Sequence, residues 1–193
     1  MCFSFSLQGT GLWLLRINVL AAALIVLITL SSCGLQEISR EGEGHRPDRL
    51  LNVPFYPQTD YQCGPSSLSS IYAYWGSPVA PSVIASELKS HTHRGTLTID
   101  LYIHAKKRGY RVSQSEGTLK ELVGLIKQGI PVIVMLDRGI GFFQKNHFVV
   151  LVGYNSKGVF AHDGQEKNRF IPVDEFKKQW QRAGNWMLVI RPR

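Results

Sequence analysis

Cys63 stands where a turn-rich stretch gives way to a helix, in Pro57-Gln58-Thr59-Asp60-Tyr61-Gln62-Cys63-Gly64-Pro65. A thiol at a helix N-terminus meets partial positive charge and unpaired N–H groups. Both favour the thiolate, which is the nucleophile. Such a nucleophile needs an imidazole to take its proton, a group that orients the imidazole, and donors for the oxyanion formed on attack at a carbonyl. Of the six histidines, only His147 heads a strongly apolar strand, His147-Phe148-Val149-Val150-Leu151-Val152. A strand start is rigid, yet its end can open on a cleft. The chain then turns at Asn155 to Gly158 and returns to His162-Asp163-Gly164. Pairing about that turn sets position 162 or 163 beside 150 or 151, not opposite 147. An Asp just past the strand end has the length to reach back to His147, but spacing alone leaves that open. His162 is the alternative base, and period-two alternation aims it to the opposite face from Asp163.

These residues must be positioned by elements that the sequence also outlines. Leu68, Ile71, Tyr72 and Trp75 recur at helical spacing, predicting an amphipathic helix over Gly64 to Trp75, stopped by Gly76, with Pro65 in the first turn. Further helices are predicted at Pro81 to Lys89, at Ile99 to Arg108, at Thr118 to Gln128 and at Asp174 to Trp180. The fourth segment carries a capping box, Thr118 with Glu121 three residues on. Strands are predicted at Tyr110 to Gln114, Pro131 to Leu136, His147 to Tyr154, Val159 to His162, Phe170 to Val173 and Trp186 to Ile190. Helices dominate the first half and closely spaced strands the second. Short turns between the late strands imply antiparallel pairing, so the expected class is α+β, a helical N-terminal half packed on an antiparallel sheet.

Four stretches together resemble the papain-like bacteriocin-processing peptidase family, and most closely its stand-alone secreted or lipoprotein branch. They are Pro54-Phe55-Tyr56-Pro57-Gln58, Cys63-Gly64-Pro65-Ser66-Ser67-Leu68, His147 to Tyr154, and His162-Asp163-Gly164. The resemblance covers nearly all of Asn52 to Arg193. It implies a papain-like fold and a peptide or protein substrate. It also implies Cys63 as nucleophile, His147 as general base, Asp163 as the residue orienting the imidazole, and Gln58 as the oxyanion-hole glutamine beside the Cys63 backbone N–H. Two departures stand out. Transporter-linked members often carry Asp directly before the Cys, where this chain has Gln62. The interval from Gln58 to Cys63 is also slightly shorter than in papain, so Gln62 is a rival for the oxyanion role. No ATP-binding or transporter segment follows, so the resemblance implies no cofactor.

The N-terminal segment predicts the compartment. Ile17 to Leu30 is apolar apart from Asn18 and Thr29, shorter than the roughly 20 residues of a spanning helix and suited to a signal-peptide core. Leu30-Ser31-Ser32-Cys33 follows, resembling the bacterial lipoprotein signal in which the Cys becomes lipid-modified and N-terminal after cleavage. The organisation expected is a signal peptide over 1–32, a lipidated tether over 33–49 and a peptidase domain over 50–193. The resemblance to Gram-negative lipoproteins implies that Gly34 after the Cys, with no Asp there, favours the outer membrane, with the domain facing the periplasm. Cys2 then leaves with the signal, and Cys63 has no disulfide partner. Net charge is +8, but the basic residues are scattered without aromatic interleaving. A solvated surface explains them, and the extracytoplasmic address sets nucleic acid aside.

Other residues have plain readings. His91 and His93 lack a third ligand at recognisable spacing, so no metal is expected. His104 reads as an ordinary side chain on an amphipathic helix, and Asp100 and Asp137 as generic acids. Gly139-Ile140-Gly141 reads as a mobile loop lining the cleft, and Trp75, Trp180 and Trp186 as core or interface aromatics. Two functions compete with peptidase activity on these parts: amide hydrolysis or acyl transfer on cell-wall peptides, with Gly139 to Asn146 setting substrate shape, and a non-catalytic envelope binding module.

Overall fold

The structure is a computed structural model that describes residues 46–58, 62–88 and 95–193. Cys2, Cys33, the signal segment, most of the tether, Asp60, His91 and His93 lie outside the described residues. Among the described residues no helix is long and apolar enough to cross a membrane.

Along the chain run β1 (Arg49–Leu50), α1 (Cys63–Tyr74), α2 (Pro81–Glu87), α3 (Thr98–Lys107), β2 (Arg111–Glu116), α4 (Leu119–Lys127), β3 (Val132–Asp137), β4 (Asn146–Asn155), β5 (Gly158–Asp163), β6 (Glu166–Pro172), α5 (Val173–Arg182) and β7 (Trp186–Arg191). The strands form one antiparallel sheet in the order β2-β7-β3-β4-β5-β6. The α+β class with helices first therefore holds. Six of the predicted strands recur, with ends moved by a few residues. β6 begins earlier than Phe170, because its first half, Glu166-Lys167-Asn168-Arg169, is too polar to read as a strand.

β4 organises the molecule. Phe148 to Gly153 are buried in unbroken succession, so both of its faces are covered. One edge is shared end to end: β3 pairs from Asn146 to Leu151, and β1 takes over at Gly153 and Tyr154. The docked chain thus begins ahead of Leu50. Asp48 N–H donates to Tyr154 O at 2.9 Å, and Asn155 Nδ2 to Arg46 O at 3.0 Å. Gly153 is where β1 crosses closest. A Cβ there would stand 2.6 Å from Arg49 O, so no larger residue fits without moving β1.

α1 corrects the amphipathic reading. It packs against α2, α3 and β4, and Gly64 to Tyr72 are all buried, including Ser66, Ser67, Ser69 and Ser70. Serines let neighbours approach a central helix closely, a role the apolar spacing does not reveal. The capping box on α4 is present, with Glu121 N–H donating to Thr118 Oγ1 at 3.2 Å and Thr118 N–H to Glu121 Oε2 at 2.7 Å.

His104 is likewise more than an ordinary helix side chain. It is buried, its Nδ1 lies 2.8 Å from Tyr72 Oη and its Nε2 lies 2.9 Å from Glu87 Oε2. Arg108 closes the network by donating to both Glu87 oxygens. Three helices are thereby joined by polar groups that satisfy one another. Trp180 and Trp186 lie in the core and Trp75 packs half-buried against it.

Candidate active site

Cys63 is the first residue of α1 and is half-buried. Its thiol is electrostatically coupled to the His147 imidazole and to the backbone of Phe148 and Gly64, which all favour the thiolate. His147 is the second residue of β4, and Asp163 is the last of β5. His147 Nε2 lies 3.0 Å from Asp163 Oδ1, so Nδ1 is the ring nitrogen not engaged by the acid. Elements far apart in sequence therefore bring an imidazole and a carboxylate together and couple the imidazole to the thiol.

The alignment of His147 with Asp163 depends on an irregularity in the sheet. From the turn, β4 and β5 pair as Asn155 with Gly158, Tyr154 with Val159 and Gly153 with Phe160. Beyond that point Leu151 pairs with Ala161 and Val150 with His162, so Val152 is an extra residue on β4. The shifted register sets Asp163 beside Val149, two residues on from His147 and hence on the same face. An unbroken register would have set Asp163 beside Val150, on the other face. The turn centre alone left two registers open, and the bulge decides between them. His162 takes the opposite face, as alternation predicted. It is buried and used, with Nε2 at 2.9 Å from Val53 O and Nδ1 accepting from Asn168 N–H at 3.3 Å. It is not at the thiol.

The electrostatics favour charge separation. Burial pushes the Cys63 thiol up, but the His147 hydrogen bond, the Phe148 and Gly64 backbone and the imidazole's charge outweigh it, leaving the thiol below its ordinary 9.0. Burial pushes His147 down, and hydrogen bonds to Asp163 and Cys63 more than restore it, leaving it above 6.5. The Asp163 side chain is wholly buried. Burial alone would raise its pKa, but hydrogen bonds from His147 and Arg138 and the Arg138 charge bring it down to about 2. Arg138 Nη2 and Arg169 Nη1 both donate to Asp163 Oδ2, the latter at 3.1 Å. Neither arginine has a sequence signal that marks it.

Gln58 reaches the same place from the segment before α1. Its N–H donates to Gly164 O at 2.9 Å, and the Gln165 side chain donates to Gln58 O, so the glutamine is strapped to the turn after Asp163. The side chain is buried, and its Nε2 lies 3.4 Å from Phe148 O, next to His147. Its Oε1 has no partner among the described residues. Gln62 is the N-cap of α1. Its carbonyl accepts from Ser66 N–H at 2.9 Å, and its side chain makes no capping bond.

Asp137 and the loop after it also depart from the reading above. Asp137 is buried, and its Oδ1 accepts from Gly139 N–H at 2.8 Å and Lys145 N–H at 2.9 Å. Arg182 pairs with its Oδ2 at 3.1 Å and donates to Gly139 O at 2.8 Å. The loop between β3 and β4 is thus tied at its arms, with a buried acid as their organiser. Among the described residues no cluster of three or more His, Cys, Asp or Glu is arranged to hold a metal ion.

The sequence model of the Peptidase_C39 like family matches residues 50–187. Solved structures share the fold. A C39-like peptidase from Bacillus anthracis has a TM-score of 0.66 at 20% identity, over 76% of this chain and 98% of that one. A double glycine motif protease from an AMS/PCAT transporter, in complex with the leader peptide, has a TM-score of 0.62 at 21% identity, over 76% and 96%. The peptidase domain of Streptococcus ComA, a bi-functional ABC transporter involved in a quorum sensing pathway, has a TM-score of 0.60 at 22% identity, over 75% and 98%. No curated protein matches this chain.

Proposed function

This chain belongs to the Peptidase_C39 like family and is a cysteine-type peptidase, and from that premise we propose that it cuts peptide bonds with Cys63 as nucleophile, His147 as base and Asp163 as the orienting acid. What supports the reading is the electrostatic coupling of the Cys63 thiol to an imidazole whose Nε2 lies 3.0 Å from a buried carboxylate.

His147 takes the Cys63 proton, and the thiolate attacks the peptide carbonyl. The negative charge that develops on the carbonyl oxygen is met by the Cys63 backbone N–H and by Gln58 Nε2, which turns from Phe148 O to the oxyanion. Strapping of Gln58 to Gly164 and Gln165 favours it over Gln62 for this task. The imidazolium then gives its proton to the leaving amine. Water, deprotonated by the same His147, releases the acyl group from sulfur and regenerates the thiol.

A peptide substrate is supported by the related transporter protease, whose structure holds a leader peptide. The domain is held at a bacterial envelope membrane, facing the periplasm, by lipid on Cys33 and by the segment that follows it. The Leu30-Ser31-Ser32-Cys33 motif behind a short apolar run supports this placement.

The decisive test is mass spectrometry of an envelope fraction incubated with wild type and Cys63→Ala. New peptide termini with wild type alone support the proposal. New muropeptide fragments instead would assign the site to cell-wall amide chemistry. No change in either pool, together with an unreactive thiol, would leave a binding module. A thiol-directed acyl probe should label wild type and not Cys63→Ala, and equal labelling of His147→Ala would sink the dyad.

A further inference from the structure

The loop between β3 and β4 ends in a tip whose apolar side chains face water: Ile140, Phe142 and Phe143 are 86, 105 and 85% exposed. The backbone beneath them is built to present them. Asp137 and Arg182 hold both arms of the loop, Arg182 Nη2 also donates to Gly141 O at 3.3 Å, and Arg138 N–H closes onto Lys145 O at 2.9 Å. Gly139 permits the crossing, since a Cβ there would lie 1.6 Å from Phe143 O. Beside the tip is a cleft lined by Arg138, Arg169, Lys178 and Arg182 with Asp137 and Glu175. Lys145 adds a further cation at the base of the loop. Arg138 and Arg169 are shared with Asp163 and Arg182 with Asp137, and with Lys145 and Lys178 the cations around the tip still outnumber Asp137, Asp163 and Glu175.

We propose that the Gly139–Lys145 tip inserts into an anionic bilayer surface, with Ile140, Phe142 and Phe143 in the headgroup–acyl boundary and the basic collar against lipid phosphates. A protruding apolar tip over cations fits that boundary, where aromatic and aliphatic groups sink about 5–10 Å and each nearby cation gains from the negative surface potential. A peptide ligand needs a concave apolar wall. Here Phe142 is fully exposed and the neighbouring cleft is lined mainly by charged groups. The tip is continuous with the strand that carries His147, and Arg138 at its base holds Asp163. Insertion therefore fixes which way the thiol faces relative to the lipid, which a flexible tether does not. The inference goes beyond the peptidase reading, and its test reads lipid contact rather than cleavage.

The full chain is placed in phosphatidylethanolamine–phosphatidylglycerol vesicles doped with phosphatidylglycerol that carries a photoactivatable acyl chain. After irradiation the tryptic peptide Gly139–Lys145 is compared with Gly95–Lys106, which holds the exposed Leu97, Ile99 and Ile103 of another surface. Lipid adducts on the tip peptide should exceed those on the comparison peptide by ~10-fold or more, and should fall several-fold in phosphatidylcholine vesicles carrying the same chain. The double substitution Phe142→Ser with Phe143→Ser should bring them to the comparison level. Equal labelling of the two peptides, or labelling indifferent to the anionic headgroup, would overturn the proposal. So would a raised KM for a soluble peptide in the double variant when the wild-type tip carries no lipid, because that outcome assigns the tip to substrate.

Discussion

Asp163 is held by three donors where one would suffice to orient an imidazole. Arg138 and Arg169 keep the carboxylate ionised and fixed, and Arg138 also works against protonation of His147. The two partners of the acid should therefore move catalysis in opposite directions. Asp163→Asn removes the group that raises the imidazole, so the alkaline limb of the kcat/KM profile shifts to lower pH and kcat falls by ~10²–10⁴. Arg138→Gln removes an opposing charge, so that limb shifts upward. A common direction for both variants would refute this account of the pair. The same carboxylate governs acid tolerance. Its folded pKa of about 2 lies below that of an unfolded Asp, so its stabilisation is complete above about pH 4 and is lost as pH falls toward 2. The shift corresponds to about 2 kcal/mol. Urea unfolding should show Asp163→Asn losing less stability than wild type between those limits. Cys63, His147 and Asp163 were legible as residue types beside a helix start, a strand start and a strand end. The arginines were not, because nothing in their local spacing distinguishes them from a solvated cation.

At the scale of elements, capping and periodicity were readable wherever one turn of chain contains the whole signal. Thr118 and Glu121 are the clearest case. Thr118→Ala should cost about 1 kcal/mol in urea unfolding and leave peptidase activity intact, since the cap is remote from Cys63. Features that depend on a distant partner were not readable. The serines of α1 are buried because α2, α3 and β4 surround it. His104 is buried because Tyr72 and Glu87, on two other helices, satisfy both its ring nitrogens. β6 hides its first half in polar residues and carries a register shift against β5 near Asn168, whose φ of 55° few side chains adopt. Each of these is a tertiary decision overriding a local pattern.

For the whole molecule, the segregation of helices from strands was enough to read the α+β class. The proposed address rests on a stretch outside the described residues and has its own test. Wild type should incorporate metabolically labelled fatty acid and stay with membranes through a high-salt wash, whereas Cys33→Ser should incorporate none. Equal incorporation would remove the anchor from the account. The additional residue at Val152 has a further consequence. Whether His147 meets a carboxylate or a second imidazole is settled by whether Val152 stands out of the ladder or is paired within it. Trimming Val152 to Ala should weaken the core yet leave the bulge, and the activity, in place. Drawing it into the ladder would exchange Asp163 for His162 behind the base, whereas deleting it would leave a regular ladder in which Val150 still meets His162 and Asp163 still stands beside Val149, so the acid should survive loss of this residue.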